Sequence, residues 1–170
     1  MALSAALPAA LPAQQDEAAY LRSAAIHYEY PPGEVAMLAE AGGPPEELPV
    51  ALLIARNAGV SASAVLALRR SGRAWADLLV RYGLHAGRLH VPLDPPPTEG
   101  PGGEAYQAFA SRDRSSWRVI RLSDEAVVYL VNLDFLYHHL ELPPQRVAET
   151  LTREGSPIRA HHVLLRARTP

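Results

Sequence analysis

Three glycines, Gly42, Gly72 and Gly155, end the same short pattern of apolar residues, and that pattern confines the chain to brief helices packed side by side. Thirty residues apart and without a gap, Val35 matches Val65, Leu38 matches Leu68, Gly42 matches Gly72, Leu48 matches Leu78 and Val50 matches Val80. The frame returns near the C-terminus. There Leu142 stands for Val60 and Val147 for Val65, and after a one-residue insertion Leu151 stands for Leu68, Gly155 for Gly72 and Val163 for Val80. Each copy opens on an apolar residue followed by Pro31-Pro32, Ser61 or Pro143-Pro144, all of which suit the first turn of a helix. The apolar pair that follows lies on one face, and the glycine stands where a left-handed residue stops a helix.

The predicted unit is therefore a short helix, a glycine turn and a second helix, the second helices beginning near Pro45, Ala74 and Pro157. Glu46 and Glu47 suit the positive end of a helix dipole, and Pro49 falls within the first turn or so, where it is tolerated. Isolated helices shorter than about 12–15 residues are marginal in water, so the units must stack. Val35, Leu38, Leu52, Val65, Leu68, Leu78, Leu79, Val147, Leu151 and Val163 are the candidate core. The sequence predicts an all-α fold of helix-turn-helix units repeated three times, with a Pro/Gly-rich linker between the second and third.

Residues 1–20 read as a leader remnant or disordered tail, 21–91 as an N-terminal helical subdomain with two units, 92–103 as the linker, and 104–170 as a C-terminal helical subdomain with the third unit. Prolines and glycines exclude regular helix or central strand from the linker. After it, Glu104 to Ala110 reads as a short helix and Ser115 to Leu122 as briefly extended. Ser123 and Asp124 then start a stronger helix through His139, apolar over a wide face as a central helix would be.

Charge and composition narrow the function. Hydrophobic residues make up 48% and charged residues 20%, which favours folding over wholesale disorder. The net charge of −2 supplies no global basic field for nucleic acid or an anionic membrane. The absence of Cys excludes disulfides, Cys-ligated metal and thiol catalysis. Met1 to Ala13 is small and apolar and resembles the end of a signal peptide, although no Arg precedes Arg22 to supply a basic n-region. That opening fits a periplasmic or secreted location and a cytoplasmic one equally. No apolar run approaches the roughly 20 residues that a membrane span requires.

Two constellations invite chemistry. With Gly59 as a turn glycine, Ile54, Ala55, Ala58, Val60, Val65 and Leu68 fall where helix-turn-helix motifs place small or apolar residues. This stretch resembles lactose-repressor-type DNA-binding domains, and the resemblance implies Ser61, Ser63, Arg69, Arg70 and Arg73 as DNA contacts. The recognition helix would nonetheless present few polar side chains to a groove, and a sharp turn between short helices needs the same small residues without DNA. Among seven histidines, only the pair Asp134 and His138, four residues apart, has ligand spacing on one helix face. A surface helix pair has the same spacing, and no third or fourth ligand accompanies it.

No nucleophile elbow, phosphate loop, dinucleotide fingerprint or pair of catalytic carboxylates is present, so the sequence implies no catalytic residue and no cofactor and leans against an enzyme. The run Ile54 to Leu84, with Leu68-Arg69-Arg70-Ser71-Gly72-Arg73-Ala74-Trp75, and the phrase Val128-Tyr129-Leu130-Val131-Asn132-Leu133 resemble a group of uncharacterised exported bacterial proteins of similar length, across most of residues 28–168. That resemblance implies export and no activity. The expectation is a non-enzymatic helical protein that binds or scaffolds another macromolecule, with a protein as partner. The alternative is a helix-turn-helix transcription regulator that binds DNA.

Overall fold

Regular structure in the computed structural model, which describes residues 12–168, is entirely helical among those residues. The helices are α1 (Pro12–Tyr28), α2 (Pro32–Glu40), α3 (Leu48–Ala58), α4 (Ala62–Arg70), α5 (Trp75–Arg81), α6 (Gly100–Ala110), α7 (Asp124–Leu140), α8 (Pro144–Glu154) and α9 (Pro157–Arg166). Three 3-10 turns, Pro45–Glu47, Ala86–Arg88 and Arg114–Val119, join them.

The signals that start and stop the helices act as the residue chemistry requires. Ser61 caps α4 by accepting from the Ala64 amide, and Ser123 caps α7 by accepting from Ala126. Prolines stand in the first turns of α2, α3, α8 and α9. Gly42, Gly72 and Gly155 all have positive φ at bends between helices. At Gly72 the closure is complete, because its own amide donates to the Arg69 carbonyl at 2.9 Å and the Arg73 amide to Leu68 at 3.3 Å.

Val35, Val65 and Val147 are each fully buried, as are Leu52 and, within a few per cent, Leu78, Leu79 and Leu151. Leu38, Leu68 and Val163 are half-buried at the edge of the core. The equivalence between units weakens in their second helices. Val50 is buried, whereas its counterpart Val80 is 65% exposed. Helix α3 packs against α1, α4 and α7, but the seven-residue α5 touches the body along one side only and leaves Val80 outside.

Helix α7 is the centre. It packs against α1, α3, α5, α6, α8 and α9, and Leu130, Leu133, Phe135 and Leu136 along it are inaccessible to solvent. Each such side chain contributes about 1.5–3 kcal/mol relative to exposure. In the second major contact, α1 runs between α2 and α9 and also meets α3 and α7.

Four sequence expectations are corrected. Residues 12–20 form the start of α1, and Tyr20 and Ala24 on that helix are core residues, so no disordered tail runs through 12–20; the rest of that expectation, residues 1–11, lies outside the described residues. The irregular stretch ends at Glu99, because Gly100-Pro101-Gly102-Gly103 form the first turn of α6. Glycine is needed there for close approach: a Cβ on Gly102 would lie 2.7 Å from the Tyr129 ring, and one on Gly103 would lie 2.4 Å from the Thr98 carbonyl carbon. Residues 114–119 form a 3-10 turn, and only the short stretch after it, from Ile120, is extended. The proposed subdomains 21–91 and 104–170 share one continuous core, since α3 packs on α7 and α1 on α9.

Candidate functional site

The first turns of three helices converge with the end of α4 on one side chain, Arg69. Its guanidinium donates to both Glu47 oxygens, at 3.0 and 2.7 Å, to Asp124 Oδ2 at 2.5 Å, and to the Arg73 carbonyl at 3.1 Å. Asp124 uses its other oxygen to accept the Trp75 amide at 2.7 Å, so a residue of α7 satisfies the first amide of α5. The guanidinium also lies 5.2 Å from the buried Trp75 ring. Hydrogen bonds donated to Glu47 hold the Arg69 cation in its charged form against the opposing effect of burial, with Asp124 adding to them.

This node forms one wall of a cavity of about 480 Å³. Its apolar lining includes Val128, Tyr129, Leu151 and Pro157, and its other walls carry Glu46, Glu99 and Glu125. With Glu47 and Asp124 that makes five carboxylates facing one arginine. Glu46 accepts from the Ser156 hydroxyl at 3.4 Å, and neither Glu46, Glu99 nor Glu125 forms an ion pair among the described residues. Tyr129 is only 7% exposed, and its hydroxyl meets no partner in hydrogen-bonding geometry. Burial pushes that hydroxyl up, with the nearby Thr152 hydroxyl opposing the rise.

Two shallower hollows adjoin the cavity. One of about 300 Å³ between α2 and α4 shares Pro44, Glu47 and Arg69 with it; another of about 380 Å³ between the Pro95-Pro96-Pro97 strap and α8 shares Glu99 and Thr152. Together they trace a groove across the face formed by α4, α7 and α8.

The residues implied by the DNA-binding resemblance are placed as follows. Helices α3 and α4 meet through a turn in which Gly59 has φ 66°, with Ile54, Ala55 and Val65 buried. Ser61 is committed to capping, Ser63 donates to Ser61 at 3.2 Å, and Arg70 donates to the Ala41 carbonyl at 3.1 Å. Arg69 is held by its two carboxylates, leaving the exposed Arg73 side chain outside these contacts. Four of the five are therefore engaged within the fold.

Asp134 and His138 do meet, at 3.4 Å on the surface of α7. Burial raises the Asp134 carboxyl, with His138 opposing the shift. No group of three or more metal-ligating side chains gathers among the described residues. The neighbouring His161 and His162 diverge as helix geometry requires: His161 is fully buried with Nε2 2.9 Å from the Ser23 hydroxyl, while His162 Nδ1 lies 2.5 Å from Asp16.

The carboxylates of the cavity escaped the sequence reading because Glu46, Glu47, Asp124 and Glu125 sit at helix starts, where the helix dipole alone accounts for them. Their shared signal is an acidic pair directly after a helix-starting residue, twice in one chain. Compared with known proteins, the chain matches no protein-family model, no curated protein and no solved structure.

Proposed function

We propose that the protein is a non-enzymatic, exported binding module that holds or scaffolds a partner protein along the groove beside α4, α7 and α8. One observation carries this reading: a cavity of about 480 Å³ with an apolar lining and an uncompensated carboxylate rim, set on the rigid ends of several helices. That volume falls within the range of about 300–1,000 Å³ usual for binding pockets. Two adjoining hollows extend it beyond what a small molecule would fill. In this reading the three helix-glycine-helix segments are a repeated scaffold whose turns build the groove walls. Gly155 and Pro44 line the cavity at two of those turns. The periplasmic or secreted location rests on the resemblance to exported bacterial proteins, with which the apolar opening of the sequence is compatible. Among the described residues no helix is long and apolar enough to cross a membrane.

The test is capture of partners from a periplasmic extract by the full chain and by Thr152→Trp, which places an indole where the cavity meets the adjoining hollow. Thr152 is exposed, so the substitution leaves the core alone. A partner lost on T152W supports the reading. Equal capture by both proteins rules the groove out, and salt-sensitive retention on DNA with no protein captured would replace this function with transcription control.

A further inference from the structure

We propose that the groove takes an extended, basic segment of a protein partner, with an arginine side chain of that segment seated in the central cavity. This rests on the reading of the groove as a binding site and specifies what occupies it. Charge complementarity carries the argument. Of the five carboxylates, Glu47 and Asp124 share Arg69, while Glu46, Glu99 and Glu125 face the same space without a cation of their own. The resident arginine shows how this wall handles a guanidinium: planar pairing with Glu47 and an aromatic face beside it.

A second observation points the same way: Tyr129 lines the cavity and offers an aromatic ring to an incoming guanidinium, as Trp75 does to Arg69. The apolar lining at Val128, Leu151 and Pro157 suits the aliphatic stem of such a side chain, whose charged head then reaches the carboxylates.

The hollows at either end accommodate backbone on both sides of the arginine. Toward α2 the surface includes Leu38, Gly42 and Leu66, with Arg70 at its edge; toward α8 it includes the Pro95-Pro96-Pro97 strap and Ala148, with Glu149 and Arg153 beside them. These surfaces favour small or apolar neighbours on the partner segment. An anionic segment, nucleic acid included, would meet the carboxylate rim with like charge.

The probe is a fluorescein-labelled peptide, Ala-Pro-Leu-Arg-Leu-Pro-Ala, read by anisotropy against the full chain. Two counterparts carry citrulline or glutamate in place of arginine. Citrulline keeps the shape and removes the charge. The expected result is binding of the arginine peptide, about tenfold weaker binding of the citrulline peptide, and none of the glutamate peptide. The double variant Glu99→Gln/Glu125→Gln should narrow the arginine-to-citrulline difference with only a small drop in melting temperature, because both side chains are exposed and Glu125 loses only its contribution at the start of α7. Equal affinity for arginine and citrulline, or no binding of any peptide, overturns the proposal. In either case, partner capture that still disappears on T152W leaves the broader binding reading standing, so the two failures are distinguishable.

Discussion

The Tyr20 hydroxyl donates to the Asn132 side-chain oxygen at 2.5 Å, joining α1 to α7 across 112 residues of sequence, with both residues inaccessible to solvent. Asn132 Nδ2 donates in turn to the Glu46 carbonyl at 3.0 Å and to Val128 at 2.8 Å. One amide side chain thus fixes α1, α7 and the 3-10 turn that carries the cavity carboxylates. Each polar atom is satisfied, which is the condition under which a buried polar group gives a unique packing.

Asn132→Ala should destabilise the protein by about 2–4 kcal/mol, because it strands the Tyr20 hydroxyl and the Glu46 carbonyl without partners. Tyr20→Phe should cost about 1–2 kcal/mol, and the double variant should fall short of the sum. Urea unfolding of the four proteins measures the coupling. Strict additivity would show that the two residues act independently.

Acid should weaken the fold through two histidines that burial holds in the neutral form. His161 is buried between α1 and α9, with the Tyr20 ring 5.8 Å away, and burial pulls its imidazole down to about 4 from 6.5. Burial likewise lowers His27 to about 4, with His139 and His138 of α7 and Arg56 of α3 adding to the effect. Between pH 6.5 and 4 the unfolded chain binds more protons than the folded one, so stability falls as pH falls through that window and is level above it. For the fully buried His161 the loss approaches the order of 3 kcal/mol, and for the half-exposed His27 it is smaller. His161→Gln should flatten the melting-temperature profile over this range. An unchanged profile would assign the acid sensitivity to other groups.

Glu141→Gly should stabilise the protein by about 1 kcal/mol. Glu141 closes α7 with φ 53°, allowing the Leu142 amide to reach the Tyr137 carbonyl, and a side chain there carries the left-handed penalty that glycine escapes. Its contact with Arg168 is 3.5 Å long and exposed, so little is lost with it. The measurement is the midpoint of thermal unfolding, and a decrease would count against the assigned helix closure.

Gly103→Ala should destabilise by about 1–3 kcal/mol or more, through a clash of its new methyl group with the Thr98 backbone. Because that contact sets the strap against α6, the variant should also loosen residues 95–99, read as faster amide exchange there than in α7. Exchange unchanged in both segments would mean that the strap is held by other contacts.

The start of α7 and the glycine turns were legible because they depend on local chemistry: Ser123 caps the next turn, and Gly72 accepts a conformation that other residues resist. Helix α1 was not legible at its beginning. Its first residues, Pro12 and Ala13, close a stretch of sequence with the composition of a leader, and only packing against α2, α7 and α9 identifies Tyr20 as core. The same holds for Gly102 and Gly103, whose role is a close approach to Tyr129 and Thr98 rather than a local bend.

By itself, then, the sequence determined helix type, helix ends and most of the buried faces, because propensity, capping and apolar spacing act within a few residues of each other. Tertiary structure alone decided that Glu47, Arg69 and Asp124 form one node and that Glu46, Glu99 and Glu125 face one cavity. Those groups come from elements distant along the chain, and only long-range packing fixes the distances over which their charges act.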